Sequence, residues 1–191
     1  MTDLDLENTG ITDINPLEEL TALEILDLEN NSITDISPLA GLIFLKDLVL
    51  KNNPGLSDIS PISDMTSLLE LDLANNLITD ITALSNLSSL SFLSLNNNPV
   101  VNINLLSGFT SLSVLYLTNM GITQIDFLRD LTNLSEIDLY NNNISDIRPL
   151  VDNAGIDAGD HVYLLNNPLD PASIIIINNT LIKQRGVFVD F

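Results

Sequence analysis

Pairs of apolar residues flanking one mostly polar position recur along the chain, each closed three residues later by a fixed position that is most often asparagine. Apolar residues then follow at intervals of three. The segments LDLENTGITDINPL, LDLENNSITDISPL, LVLKNNPGLSDISPI, LDLANNLITDITAL, LSLNNNPVVNINLL, LYLTNMGITQIDFL and IDLYNNNISDIRPL superpose, and VYLLNNPLDP keeps the first half of the pattern. The closing residue of each motif is Thr9, Asn31, Asn53, Asn76, Asn98, Met120, Asn142 and Asn167, so successive spacings are 22, 22, 23, 22, 22, 22 and 25. Pro54-Gly55 supplies the single extra residue, and the Gly- and Asp-rich stretch 151–160, which reads as a loop, supplies the three.

Each period predicts one supersecondary unit. In LxL the side chains alternate, so Leu26 and Leu28 face one way and Asp27 the other, as in a short strand with one buried side. Ile33, Ile36, Leu39, Leu42 and Leu45, spaced by three, predict a 3₁₀-like or irregular return path with one apolar side. One such turn cannot bury this many aliphatic groups. Stacked turns can, with a parallel sheet on one side and an outer layer on the other. The turning backbone leaves N–H and C=O groups away from water, and an amide side chain can serve both. Asn31, Asn53, Asn76, Asn98, Asn142 and Asn167 are therefore read as a buried structural ladder, broken at Met120. Asp13, Asp35, Asp58, Asp80 and Asp146, with Asn102 and Gln124 in place of two more, are read as turn residues accepting backbone N–H bonds. Pro16, Pro38, Pro61 and Pro149 are expected to open the outer turns.

The stretch LTALEILDLENNSITDISPL (20–39) resembles the hallmark of the leucine-rich repeat family, in the 22-residue bacterial class found in internalins. The resemblance spans essentially the whole chain. It implies an α/β leucine-rich repeat solenoid of about eight repeats, with a curved parallel sheet on the concave face and short 3₁₀ or irregular turns on the convex face. A single domain, 1–191, is expected: regular repeats over 1–150, then the last repeat and a C-terminal helix–strand cap over 151–191. In the cap, Asp170-Pro171 would be N-cap and first helical residue, Ile174, Ile177 and Leu181 the apolar stripe, Gly186 the stop, and 187–189 the final strand. The internalin pattern usually begins with a helical cap, whereas this sequence opens directly in a strand at Leu4 and Leu6 and reads as a piece of a longer chain.

Charge narrows the function. There are 26 acidic residues against 6 basic ones, a net charge of −20. The mean hydropathy is nevertheless positive, +0.29, because the apolar content is aliphatic. This balance disfavours nucleic acid and anionic membrane surfaces as partners, since both are held by basic patches. Cysteine is absent, which removes thiolate chemistry. No nucleophile, phosphate-loop or metalloprotease motif occurs, and the only histidine, His161, reads as a solvated surface residue. Asp3, Asp5 and Glu7 imitate the start of a calcium loop, but Asn8 and Ile14 stand where the loop needs Gly and Glu. No catalytic residue, metal site or cofactor is expected.

The outward positions of the strands carry the candidate binding face, because packing leaves them free. Their first half is acidic, with Asp3, Asp5, Asp27, Glu29, Asp47, Glu70 and Asp72; the second half holds Phe92, Tyr116, Glu136, Asp138, Tyr140, His161 and Tyr163. All three tyrosines of the chain fall on this face, where large, stiff, amphipathic side chains serve as interface anchors. The expected function is non-catalytic binding of a protein partner with a basic surface, by a monomeric module. The resemblance implies a secreted or bacterial surface protein. An intracellular scaffold like the phosphatase-binding members of the class is the alternative, and a metal-dependent enzyme using the acidic face is a third reading.

Overall fold

The computed structural model describes residues Met1–Phe191. Nine three-residue strands form one parallel sheet in strictly sequential order: β1 (Asp3–Asp5), β2 (Ile25–Asp27), β3 (Asp47–Val49), β4 (Glu70–Asp72), β5 (Phe92–Ser94), β6 (Val114–Tyr116), β7 (Glu136–Asp138), β8 (His161–Tyr163) and β9 (Phe188–Asp190). The register places equivalent residues side by side, so that Leu4, Leu26, Leu48, Leu71, Leu93, Leu115, Ile137, Val162 and Val189 form one inward row. A side-chain period of two makes this register self-enforcing: a slip by one residue would carry every leucine into water. The opposite wall consists of short 3₁₀ segments at Asn15–Leu17, Ser37–Leu39, Ser60–Ile62, Thr82–Asn86, Ile103–Gly108 and Asp126–Leu128, and of the short helix α1 (Arg148–Asp152). The sheet takes the concave side of the solenoid. Between the two walls runs one continuous aliphatic core, in which Ile33, Ile36, Leu39, Leu42 and Leu45 are all fully buried.

The amide ladder pairs the buried backbone at the turns. Asn53 Nδ2 donates to the carbonyls of Leu28 and Leu50, both at 3.0 Å, while its Oδ1 accepts the N–H of Ile33 at 3.0 Å. Asn31, Asn76, Asn98, Asn142 and Asn167 make the same kind of set. At Met120 the set is missing, and the Val100 N–H, which occupies the place of Ile33, finds no acceptor. Asp13, Asp35, Asp58, Asp80 and Asp146 each accept the backbone N–H two residues on, and Asn102 replaces its turn bond with one from Ile81 N–H.

A second asparagine column, unanticipated from the sequence, precedes the ladder. Asn8, Asn30, Asn52, Asn75, Asn97, Asn119, Asn141 and Asn166 all have φ between 55° and 63°. This left-handed conformation is costly for most side chains but tolerated by asparagine, and it is what turns the chain out of each strand. Several of these residues also donate from Nδ2 to the preceding member's Oδ1, as Asn52 does to Asn30 at 2.6 Å.

Four expectations need correction. Pro16, Pro38, Pro61 and Pro149 are the second residues of their turns, because the turns open at Asn15, Ser37, Ser60 and Arg148, whose own N–H groups bond to the aspartate two residues back. The stretch 151–160 is not wholly loop: α1 runs into it through Asp152, and the buried Asn153 anchors it to the carbonyls of Leu128 and Leu131. Asp170 caps α2 (Pro171–Ile176), accepting Ser173 N–H at 2.6 Å, but the buried stripe is Ser173, Ile177 and Leu181, and Ile174 is exposed. The helix widens to π-helical geometry over Ile177–Arg185 and stops at Gly186, φ 74°. The last strand is Phe188–Asp190, one residue later than expected.

Candidate functional site: the sheet face

The register sorts the outward residues into columns. One runs Asp3, Ile25, Asp47, Glu70, Phe92, Val114, Glu136, His161 and Phe188; its neighbour runs Asp5, Asp27, Val49, Asp72, Ser94, Tyr116, Asp138, Tyr163 and Asp190. Glu29 and Tyr140 lie just beyond the ends of β2 and β7. All the candidate binding residues therefore occupy the face, seven acids toward β1 and the aromatics toward β9, with Glu136 and Asp138 of β7 among the aromatics.

The acids divide into two kinds. Asp5, Asp27, Asp72 and Asp138 each accept the N–H of the residue two positions on, at 2.8–2.9 Å, which closes the strand end. They hold the backbone whatever else they do. Burial pushes the Asp72 carboxyl above the usual range, against the lowering by hydrogen bonds from Ala74 N–H and the Ser94 hydroxyl. In the other column Asp3, Asp47 and Glu70 have no hydrogen-bonded or ion-paired partner; Asp47 and Glu70 stand uncompensated side by side, and Asp3 lies one strand further on, beyond Ile25. Burial raises the Asp47 pKa, and the charges of Glu70, Asp27, Asp3 and Asp72 raise it further. Among the face acids only Glu29 meets a base, Lys51 Nζ at 3.0 Å. Asp5, Glu7 and Asp27 bring carboxylate oxygens within 4.8 Å of one another, but the group is largely open to water, and Asp5 and Asp27 each already hold a backbone N–H.

Toward β9 the face becomes an aromatic tract. Tyr116 packs edge-on against Phe92 with ring centres 5.5 Å apart, and its hydroxyl donates to Glu136 Oε1 at 2.7 Å. Desolvation, the bond to Glu136 and the surrounding carboxylates push the Tyr116 pKa up to about 12. Tyr140 is exposed, its hydroxyl accepting from Asn166 Nδ2. His161, Tyr163 and Phe188 form a cluster, with ring centres 5.4–6.5 Å apart. Phe188 was absent from the sequence-derived set; it belongs to the cap strand, and only its pairing with His161 makes it part of the face.

Few cations are left unpaired. Lys46, Lys51, Arg129 and Arg148 pair with carboxylates, and Arg185 donates to the carbonyls of Val151, Asn153 and Ile156. Every buried side-chain N or O atom has a hydrogen-bond partner, so no orphaned group points to an internal ligand. No helix is long and apolar enough to cross a membrane.

The family model described as leucine rich repeats (2 copies) matches residues 1–41, 43–87 and 110–152. No curated protein matches. Among solved structures, internalin C2 of Listeria monocytogenes is similar over 100% of this chain and 80% of its own, at 32% identity and TM-score 0.86. Internalin InlF of the same organism is similar over 99% of this chain and 62% of its own, at 26% identity and TM-score 0.81. A leucine-rich repeat protein of Leptospira interrogans, at 21% identity and TM-score 0.64 over 98% of this chain and 60% of its own, shares the fold. The chain belongs to the leucine-rich repeat family, in its internalin-like class.

Proposed function

We propose that the chain is a non-catalytic protein-binding module whose concave sheet face takes a partner that is basic opposite β1–β4 and offers apolar contacts opposite β5–β9. Internalin-like repeats support protein binding in general. The observation that carries the finer reading is the segregation of that face: unpaired Asp3, Asp47 and Glu70 at one end, and Tyr116, Tyr140, Tyr163 and Phe188 at the other. Exposed aromatics on a rigid sheet lose little conformational entropy on binding, and uncompensated carboxylates draw a cationic partner by long-range attraction. The similarity to internalins supports a place on or outside a bacterial cell as part of a larger protein. Affinity capture with the wild-type chain and with a Tyr116→Ala, Tyr140→Ala, Tyr163→Ala variant, followed by mass spectrometry, tests the reading. A partner enriched on the first and lost from the second supports it; equal capture by both sinks it.

A further inference from the structure

Apart from the sheet face, one surface departs from the repeat in a way that packing does not explain. The segment preceding each strand carries small polar residues at fixed places in most repeats. The first runs Thr21, Ile43, Thr66, Ser88, Thr110 and Thr132; the second Ala22, Phe44, Ser67, Ser89, Ser111 and Asn133; the third Glu24, Lys46, Leu69, Ser91, Ser113 and Ser135, charged in its first two members. Ile43, Phe44 and Leu69 are thus the large apolar exceptions, and they occur in adjacent repeats. They are exposed to 44%, 59% and 43%. Phe44 lines a shallow depression with Ala22, Glu24, Lys46 and Ser67, Ile43 precedes it in the segment leading to β3, and Leu69 N–H, just before β4, bonds to the Lys46 carbonyl, so the three lie along one edge of the sheet, a lip at the start of β3 and β4.

We infer that this lip is a docking surface for a basic segment of a partner protein, one that presents an apolar side chain between lysines or arginines. The inference rests on the reading of the chain as a protein-binding module and adds a second contact region to it. Charge identifies the occupant. The lip borders Asp47 and Glu70, which pair with no base, and Lys46 is held by Glu24 at 2.6 Å. A second copy of the chain, with a net charge of −20, would set like charges against this rim. A cationic segment instead neutralises Asp47 and Glu70 while its apolar residue covers Phe44.

The repeat supplies the control, because other repeats already carry Thr or Ser at these places. An Ile43→Thr, Phe44→Ser, Leu69→Ser variant should keep the wild-type circular dichroism and unfolding midpoint. The probe is a short synthetic peptide with a Leu-Phe pair between flanking lysines, labelled for fluorescence anisotropy, alongside a version flanked by glutamates. The expected result is binding of the lysine peptide that weakens at least about tenfold in the lip variant and is absent for the glutamate peptide. The Tyr116→Ala, Tyr140→Ala, Tyr163→Ala variant should bind it as wild type does. Equal affinity of the lip variant, equal binding of the glutamate peptide, or loss in the tyrosine variant alone would overturn the inference. So would self-association of the wild-type chain in sedimentation that the lip variant abolishes, since the occupant would then be a second copy.

Discussion

Replacing Asn53 by alanine isolates what the amide ladder contributes. Asn53 is fully buried, and its Oδ1 is the acceptor for Ile33 N–H. The carbonyls it serves are also served by neighbours: Leu28 O accepts from Asn31 Nδ2, and Leu50 O from Asn76 Nδ2. Truncation therefore leaves those carbonyls with one partner each but orphans the Ile33 N–H away from water. An orphaned buried donor costs about 1–3 kcal/mol and each of the two lost carbonyl bonds about 1 kcal/mol, so the expected loss is about 3–5 kcal/mol. With a urea m-value near 3 kcal/mol/M, the top of the range for small proteins, the midpoint should fall by roughly 1–1.5 M. Asn104→Ala, at an exposed asparagine whose side chain makes no hydrogen bond, is the control and should shift stability by less than about 0.5 kcal/mol. If Asn53→Ala moved the midpoint no further than Asn104→Ala, the ladder would not be a stabilising device and the account of the turns would fail.

Three further outcomes follow from the same structure. Met120→Asn should raise the urea midpoint by the equivalent of about 1 kcal/mol, because the new amide can accept the unpaired Val100 N–H; a fall would mean that Met120 packing outweighs the ladder. Asp72→Asn should stabilise the chain at pH 7. The native carboxyl titrates above its unfolded value, so its charged form is penalised on folding, and that penalty lifts as pH falls through the native pKa toward the unfolded one. Melting curves should show the gain shrinking as pH falls toward about 4 and largely gone below it, and a gain constant with pH would contradict the cause. Glu136→Gln should lower the Tyr116 pKa from about 12, seen as earlier tyrosinate absorbance on alkaline titration, because it removes the nearby charge; an unchanged curve would leave burial as the sole cause.

Most of the fold was legible because one period was repeated often enough to fix the register of every strand. The inward row from Leu4 to Val162 and the turn aspartates could be assigned by counting alone. The left-handed asparagines were equally visible as an eight-membered column, but a column of one residue type does not announce a backbone dihedral unless the turn geometry is considered with it. The cap helix was harder. Four consecutive isoleucines, Ile174–Ile177, erase the polar–apolar alternation that would choose a buried stripe, and π-helical widening then shifts the facing positions. The sheet face was legible as a set of residues but not as a division of labour. Nothing in the sequence separates Asp5, Asp27, Asp72 and Asp138, which hold backbone N–H groups, from Asp3, Asp47 and Glu70, which do not. Phe188 is not legible as a face residue in the sequence, because a strand that closes the stack gives no sign that its pairing with β8 also extends the outward surface.

The central claim, that the sheet face is the binding surface, is tested most directly by affinity. With a captured partner purified, its dissociation constant is measured against the wild-type chain and against the Tyr116→Ala, Tyr140→Ala, Tyr163→Ala variant by calorimetry. If these side chains anchor the interface, affinity should fall at least about 30-fold, the equivalent of one hot-spot residue at about 2 kcal/mol. Equal affinity for the two proteins, both fully folded, would contradict the claim.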